Sequence, residues 1–209
     1  MLGLIIPVAL VLLLGLAHGG SLSRWATVQV RWWPLAAVCL LVQVALFSPL
    51  LETLPVIIVC GPWLYVLSLV GVLGALLANA RSGGASRLPL TLAALGIALN
   101  CLVIVVNGGY MPRSDDAAAS LGMPPTAQLA QARLINVESI GGETRLAWLG
   151  DIIAQPNWLP LANVVSVGDL LLSGGLAVWA FQVTTASDGR HLLHPDRRRS
   201  SAAMQSSPK

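Results

Sequence analysis

The sequence predicts an all-α integral membrane protein, a bundle of about five transmembrane helices with a small extracytoplasmic cap. Hydrophobic residues make up 56% of the 209 residues and charged residues only 10%, with a mean hydropathy of +0.76. A soluble domain usually carries about 25% charged residues. Long apolar segments also recur along the chain, most of them near the length of about 20 residues that crosses a bilayer.

Five apolar segments account for the predicted helices. They are residues 2–18, 33–51, 62–79 (or from 55), 88–107, and a fifth that starts between 160 and 167 and ends at 183. The first segment carries no charged side chain ahead of its apolar run, whereas a cleaved signal peptide begins with a positive region. We therefore expect it to remain as a membrane helix.

The distribution of Lys and Arg predicts the orientation. Nine of the twelve lie in segments 18–32, 80–87 and 184–209, and three lie in segment 108–160. Because cytoplasmic loops are enriched in Lys and Arg, we expect the N-terminus outside and the C-terminus in the cytoplasm. The basic residues form no face with interleaved aromatics, so nucleic acid is not an expected partner. The expected partner is the lipid bilayer.

The chain divides into two predicted parts. Residues 1–183 form the transmembrane helical domain, which includes the extracytoplasmic segment 108–160. Residues 184–209, rich in Ser, Arg and Pro, are predicted to be a disordered basic cytoplasmic tail. Within the outer segment, Thr126 is predicted to cap a short helix over 127–134, and the remaining backbone is predicted to be irregular.

Asp169 has two compatible interpretations. If the fifth helix starts at residue 160, the acid lies about 14 Å deep and is a functional-site candidate. If the helix starts at Ser166, the Ser166-Val-Gly-Asp169 run matches a capping box, and the helix dipole favours the carboxylate in the first turn.

Three neutral polar residues fall at a similar depth in three predicted helices: Gln43, Ser68 and Asn100. They form either an interhelical hydrogen-bond cluster or a polar pocket that opens outward. His18, His191 and His194 are remote from this level, so neither a metal site nor a cofactor is expected. No complete catalytic constellation is present.

The fourth segment ends in Asn107-Gly108-Gly109-Tyr110-Met111-Pro112. The two glycines permit a positive φ and a sharp exit from the helix, and Pro112 prevents its continuation. This run is either a structural helix end or a place where backbone amides approach a ligand.

With these residues the chain resembles the bacterial membrane proteins catalogued as domain of unknown function 5317. The matching stretches are 47–50, 61–68, 100–112, 144–145, 149–151 and 163–169, of which Asn-Gly-Gly-Tyr-Met-Pro is the most specific. Arg113 departs from the small or aliphatic residue expected there. The resemblance implies a multi-pass protein of the bacterial inner membrane and no assigned activity. It singles out as binding candidates Asn107, Gly108, Gly109, Tyr110, Asp151, Ser166 and Asp169.

Three functions are compatible with these residues. The first is a non-catalytic binding or accessory protein, with a lipid-like ligand or a membrane-protein partner at the outer membrane face. The second is a small transporter or channel, which needs polar residues along a path through the bilayer. The third is an intramembrane enzyme that acts on lipid-linked substrates, with Asp151 and Asp169 as paired carboxylates.

Overall fold

The computed structural model describes residues 2–48, 54–82, 84–132 and 136–186, which form a bundle of helices with short strands at one end. The helices are α1 (Leu2–Ala17), α2 (Trp33–Leu46), α3 (Pro55–Ala80), α4 (Arg87–Val106), α5 (Asp115–Ser120), α6 (Thr126–Ala132) and α7 (Val167–Thr185). The strands are β1 (Met111–Arg113), β2 (Val137–Ser139), β3 (Ile153–Ala154) and β4 (Val164–Val165). Two 3-10 turns, Leu22–Thr27 and Ala147–Leu149, complete the secondary structure of the described residues.

The five long helices pack in the order α2, α3, α4, α7, α1, so α4 and α7 are central. Buried apolar side chains of α2, α3 and α4 form the main core, among them Leu46, Leu69 and Ile104. Leu41, Val44 and Leu67 point away from this core and are about two-thirds exposed. Such contiguous apolar exposure on helices is typical of surfaces that contact lipid.

Three described helices are long and apolar enough to cross a membrane: Val59–Ala80, Arg87–Val106 and Val167–Thr185. The chain is therefore mostly helical, with the character of a membrane protein. The two other predicted spans are shorter apolar helices, since α1 (Leu2–Ala17) has 16 residues and α2 (Trp33–Leu46) has 14, below the roughly 17 that a full crossing needs. The count of five spans remains a prediction.

Glycines let α4 and α7 approach at the level of their backbones. A Cβ at Gly96 would lie 2.3 Å from the Gly168 carbonyl oxygen, and a Cβ at Gly175 would lie 2.5 Å from the Pro89 carbonyl oxygen. Because real Cβ atoms do not come this close to a backbone oxygen, only glycine fits at these positions. Gly96, Gly168 and Gly175 define a contact that we call the glycine seam.

One end of the bundle gathers the 18–32 loop and the ends of α3 and α7. Asn79 accepts a hydrogen bond from the Arg31 amide (2.8 Å) and donates one to the Arg31 carbonyl (2.8 Å). The Arg24 guanidinium and the Ser21 amide both donate to the Thr184 carbonyl. The two bonds to Thr184 satisfy a carbonyl that the end of α7 leaves unpaired.

Helix α7 runs through Thr185, two residues beyond the predicted end of the transmembrane domain. The Trp25 indole donates to the Thr184 hydroxyl (3.2 Å), which itself donates to the Ala180 carbonyl (2.8 Å). These contacts hold the last turn in the helix. Most of the predicted disordered tail, residues 187–209, lies outside the described residues.

The opposite end of the bundle, residues 107–166, carries all the described strands, and we call it the strand end. Strand β1 pairs in parallel with β2, with Met111 opposite Val137, and β3 pairs antiparallel with β4, with Ile153 opposite Val165. The sequence predicted an irregular backbone here, and these short strands were missed. The strands have two or three residues each, too short for alternation of apolar and polar residues to appear in the sequence.

The predicted capping role of Thr126 was also wrong, because Thr126 is the first residue of α6. The carboxylate of Asp115 accepts hydrogen bonds from both the amide (2.9 Å) and the hydroxyl (2.7 Å) of Thr126. Asp115 also accepts from the Ser139 hydroxyl (2.8 Å) and so joins α5, α6 and β2. These hydrogen bonds, led by the one from the Thr126 hydroxyl, hold the pKa of Asp115 below its usual value.

The glycine seam predicts a sharp difference between two adjacent positions. In Gly175→Ala the added methyl group meets the backbone of α4 at Pro89 and Ala93, so the helices must separate. In Gly174→Ala the methyl group meets nothing within 4 Å. We expect the melting temperature of the detergent-solubilised protein to fall by several degrees in Gly175→Ala and to stay near wild type in Gly174→Ala. Equal melting temperatures for the two variants would contradict the seam.

Candidate functional site

A polar-lined cavity of about 150 Å³ lies where the strand end meets α3, α4 and α7. Its polar lining comes from Tyr65, Asn100, Asn136, Asp151, Asn163 and Asp169. Its apolar lining comes from Ile104, Met111, Val137, Val164 and Val165. The polar side chains therefore converge from five separate parts of the chain on one space partly open to the surface.

The first turn of α7 forms one wall of the cavity. The Ser166 hydroxyl accepts a hydrogen bond from the Asp169 amide (2.9 Å), and the Asp169 carboxylate accepts one from the Ser166 amide (3.3 Å). This reciprocal pair is the predicted capping box, and it confirms that the helix starts at Val167. Asp169 thus serves as a cap and also faces the cavity.

Asn100 ties this turn to α4. Its side-chain amide donates to Asp169 Oδ1 (2.8 Å), and its carbonyl oxygen accepts from the Ser166 hydroxyl (2.9 Å). Gly168 permits the contact, because a Cβ there would lie 2.0 Å from Asn100 Oδ1. Each carboxylate oxygen of Asp169 therefore has a protein donor, and the acid is held rigidly at the cavity wall.

Asp151 forms the opposite wall and is placed by its backbone. The Asp151 amide donates to the Pro112 carbonyl (2.8 Å), and the Asp151 carbonyl accepts from the Ser114 amide (2.9 Å), which fixes the residue beside β1. A Cβ on Gly150 would lie 2.5 Å from the Pro112 carbonyl oxygen, so the preceding residue must be glycine. Local backbone contacts, rather than side-chain bonds, thus aim Asp151 into the cavity.

One oxygen of the Asp151 carboxyl group is buried and unpaired, although the residue as a whole is partly exposed. Its Oδ1 atom is buried and has no hydrogen-bond partner among the described residues. Burial, reinforced by the negative charge of Asp169 and only partly offset by Arg113, raises the pKa of Asp151 to about 8. Asp151 is therefore mostly protonated at neutral pH and can donate as well as accept a hydrogen bond.

The Asn107-Gly108-Gly109 run has a structural role. The Gly109 amide donates to the Ile104 carbonyl (2.9 Å) and the Gly108 amide to the Val105 carbonyl (3.2 Å), the pattern of a Schellman helix end. Both glycines have positive φ, at 70° and 101°. The Asn107 side chain exchanges two hydrogen bonds with the Arg145 backbone (2.9 Å each), which ties the 141–147 loop to α4.

The neighbouring Tyr110 is half-buried and does not line the cavity, nor do Asn107 and the two glycines. Of the seven binding candidates, the structure brings Asp151 and Asp169 into the cavity lining, and Ser166 supports that lining from behind. The other four lie at the same end of the bundle, where they shape the exit of α4.

The three intramembrane polar residues do not form one cluster. Gln43 donates to the Ser68 hydroxyl (3.0 Å) across α2 and α3, and the Ser68 hydroxyl donates to the Tyr65 carbonyl (2.6 Å). Asn100 instead faces α7. The single cluster was an expectation from depth alone, and the packing order places these residues on different helix interfaces.

Sequence reasoning missed three polar residues of the cavity: Tyr65, Asn136 and Asn163. Tyr65 and Asn163 lie in matching stretches of the family resemblance, 61–68 and 163–169, which was a usable signal. Asn136 is an isolated polar residue among apolar ones, and no spacing rule connects it with Asp151. Arg113, the departure from the family pattern, is 5% exposed and donates to the Pro124 carbonyl (2.7 Å).

The chemistry of this cavity is that of a hydrogen-bonding site. Its lining offers two carboxyl groups, three amides and a phenol but no amine, guanidinium, imidazole or thiol. No group of three or more His, Cys, Asp or Glu is placed to hold a metal ion within the described ranges. The arrangement suits the binding of a small ligand that carries hydrogen-bond donors.

The comparisons with known proteins give a family but no relative of known activity. The model described as "Family of unknown function (DUF5317)" matches residues 27–181, nearly three quarters of the chain. No curated protein and no solved structure matches the chain.

The raised pKa of Asp151 predicts how stability depends on pH. Between its unfolded value of 3.8 and its folded value of about 8, the folded state binds the additional proton, so stability falls as the pH rises through this window. One such proton corresponds to roughly 1.4 kcal/mol per pH unit. We expect the melting temperature to fall from pH 5 to pH 8, and the fall to be smaller in Asp151→Asn than in wild type. The exposed Glu138 provides the control, Glu138→Gln, which should keep the wild-type slope.

Proposed function

The chain belongs to the DUF5317 family of unknown function, and we propose that it is a non-catalytic binding protein of the bacterial inner membrane whose ligand occupies the strand-end cavity. One observation carries this proposal: the buried, unpaired Asp151 Oδ1 faces a cavity lined by further hydrogen-bonding groups. A buried polar atom without a partner costs about 1–3 kcal/mol. A ligand with a donor at this position offsets that cost, which explains why the atom is retained.

The surroundings of the cavity favour binding over transport. The glycine seam closes α4 against α7 from Gly168 beside the cavity to Gly175, seven residues further along. Ala93, Ala94 and Ile97 are buried on the same stretch of α4. A path through the bilayer between these helices would need polar side chains there, so the cavity is best explained as a site with a single opening.

The cavity lining also favours binding over chemistry. Asp169 is committed to the capping box and to Asn100, and Asp151 is mostly protonated at neutral pH. Paired acid–base catalysis needs one free carboxylate and one acid beside the reacting group. Among the described residues, no Ser, Thr, Cys or Lys side chain lines the cavity to act as a nucleophile.

We place the strand end outside the cell, with five spans, the N-terminus outside and the C-terminus in the cytoplasm. The support is the grouping of basic residues at the other end. Arg24 and Arg31 bind the ends of α7 and α3, Arg81 ends α3, and Arg87 begins α4. Four cationic side chains on one side are typical of a cytoplasmic face. In this arrangement the strand end is the extracytoplasmic cap.

Cysteine labelling tests the proposed orientation. In a background with Cys39, Cys60 and Cys101 changed to Ala, Glu138→Cys is exposed at the strand end and Gln29→Cys is exposed at the opposite end. A membrane-impermeant maleimide should label Glu138→Cys in spheroplasts and Gln29→Cys only after lysis. Labelling of both sites in spheroplasts with an intact membrane, or the reverse pattern, would refute the orientation.

Native mass spectrometry of the protein, extracted with its lipids, tests the proposed ligand. Val137 lines the cavity, so Val137→Phe should fill part of the space and displace whatever occupies it. We expect a small-molecule or lipid adduct near one per chain in wild type and in Glu138→Gln, and its loss in Val137→Phe. A melting temperature near that of wild type shows that Val137→Phe is still folded.

Two results would overturn the proposal. One is an adduct that persists at the same level in Val137→Phe, because the ligand would then lie outside the cavity. The other is a stoichiometric membrane-protein partner with no cavity-dependent adduct, which would make the chain an accessory subunit and the cavity an incidental space.

A further inference from the structure

We infer that the cavity recognises a small organic ammonium group, with Asp151 as its counter-ion. This inference deepens the proposed function and rests on it, because it names the chemical class of the ligand. Three features carry it: the surplus of oxygen acceptors in the lining, the unbalanced acidity of the cavity, and the apolar half of its wall.

The first feature is the surplus of oxygen acceptors in the cavity lining. Asp151 Oδ1 is unpaired, the carboxylate of Asp169 faces the same space, and the side chains of Asn136 and Asn163 lie on its wall. The oxygen of Asn163 accepts only from the adjacent Val164 amide (2.9 Å), which leaves capacity for a second donor. A primary ammonium carries three N–H donors and no acceptor, so it matches a wall of this kind.

The charges of the cavity lining also favour an ammonium ligand. Two acids face one small cavity, and its lining includes no Lys, Arg or His from the part of the chain that the structure describes. Among the described residues, the cation that acts on Asp151 is Arg113, and it is engaged elsewhere, because its guanidinium donates to the Pro124 carbonyl and lies 3.7 Å from Asp115. A positively charged ligand therefore stabilises the ionised form of Asp151 beside Asp169, whereas an anionic ligand would disfavour it.

The apolar half of the wall argues for an organic cation rather than a metal ion. Ca²⁺ takes six to eight oxygen ligands, and Mg²⁺ requires an octahedral shell of oxygens. Ile104, Met111 and Val165 instead offer carbon surface suited to a short alkyl chain. The ring of Tyr65 also lines the cavity, and an aromatic face attracts ammonium groups. The volume of about 150 Å³ accommodates a small amine with its first carbons.

Binding of an ammonium competes with the proton on Asp151. The described ionisable groups that act on this carboxyl are Asp169 of α7 and Arg113 of β1, while Tyr65 of α3 shares the cavity lining. Because the acid must ionise to pair with the ligand, the apparent affinity should rise about tenfold per pH unit below the pKa of Asp151. A primary ammonium stays charged over the same range.

Isothermal titration of the full chain in phosphatidylcholine nanodiscs tests this inference. The probes are ethanolamine and ethylene glycol, which differ by an ammonium in place of a hydroxyl group. We expect ethanolamine to bind, its dissociation constant to fall at least tenfold between pH 6 and pH 8, and ethylene glycol to bind at least tenfold more weakly. Asp151→Asn should lose the pH dependence and most of the affinity, whereas Glu138→Gln should retain both.

The inference is overturned if ethylene glycol binds as well as ethanolamine, or if Asp151→Asn binds ethanolamine as wild type does. If Asp151→Asn does not fold, the inference is tested with Val137→Phe and wild type instead. It then requires that folded Val137→Phe loses ethanolamine binding and that wild type shows the expected pH dependence. A native adduct that Val137→Phe removes, without any ethanolamine binding, would leave the proposed function intact and refute the ammonium ligand alone.

The same titration separates two sources of the ammonium. If the ligand is the headgroup of phosphatidylethanolamine, nanodiscs that contain this lipid should weaken the apparent binding of free ethanolamine at least tenfold. If the ligand is a free amine, the two lipid compositions should give the same dissociation constant. Either result supports the ammonium chemistry, and absence of binding in both compositions refutes it.

Discussion

The hydrogen bonds that join Asn100 to Ser166 and Asp169 fix where α7 begins, and the geometry of the strand end depends on them. Asn100 presents a donor to the carboxylate and an acceptor to the hydroxyl, so one amide holds both members of the capping box. Gly168 lets the amide come this close. Because β4 runs directly into Ser166, the position of this turn also sets the position of β4 and of its partner β3.

A second constraint acts from the other side of the cavity. The Schellman end of α4 turns the chain into β1, and β1 then holds β2 on one side and the backbone of Asp151 on the other. The helix end and the capping box lie on adjacent helices at one level. The cavity is the space left between these two hydrogen-bonded backbone structures, and Asp151 Oδ1 has no partner there among the described residues.

Much of the helical architecture was predictable, because long apolar runs and the Ser166-x-x-Asp169 spacing report directly on local structure. The bounds of α4 were predicted within one residue, α7 begins at the latest position considered and ends two residues beyond the predicted end, and α3 begins at the earlier of the two positions considered. The strands were not predictable, since pairs such as Ile153 with Val165 depend on contacts distant in sequence. The role of Asp115 was hidden for the same reason, because its partners lie 11 and 24 residues away.

The site was predicted in part. Asp151, Ser166 and Asp169 meet at the cavity, as their shared level in the topology suggested, but Asn107 and the two glycines serve the helix end. Depth along a helix was a poor guide to which side chains meet. Gln43 and Ser68 point toward each other across α2 and α3, while Asn100 points toward α7. Residue spacing gives the height of a side chain, and only the packing of helices gives the neighbour it faces.

The glycine seam has a consequence for how members of this family can diverge. The two helices touch backbone to backbone at Gly96, Gly168 and Gly175. Almost any substitution at these positions therefore places a side chain where the other backbone lies. The apolar wall of the cavity is different, because Val137 and Val164 line open space rather than a second backbone. We therefore expect a new ligand specificity to arise through changes in that wall, whereas the packing leaves almost no substitution open at the joint between α4 and α7.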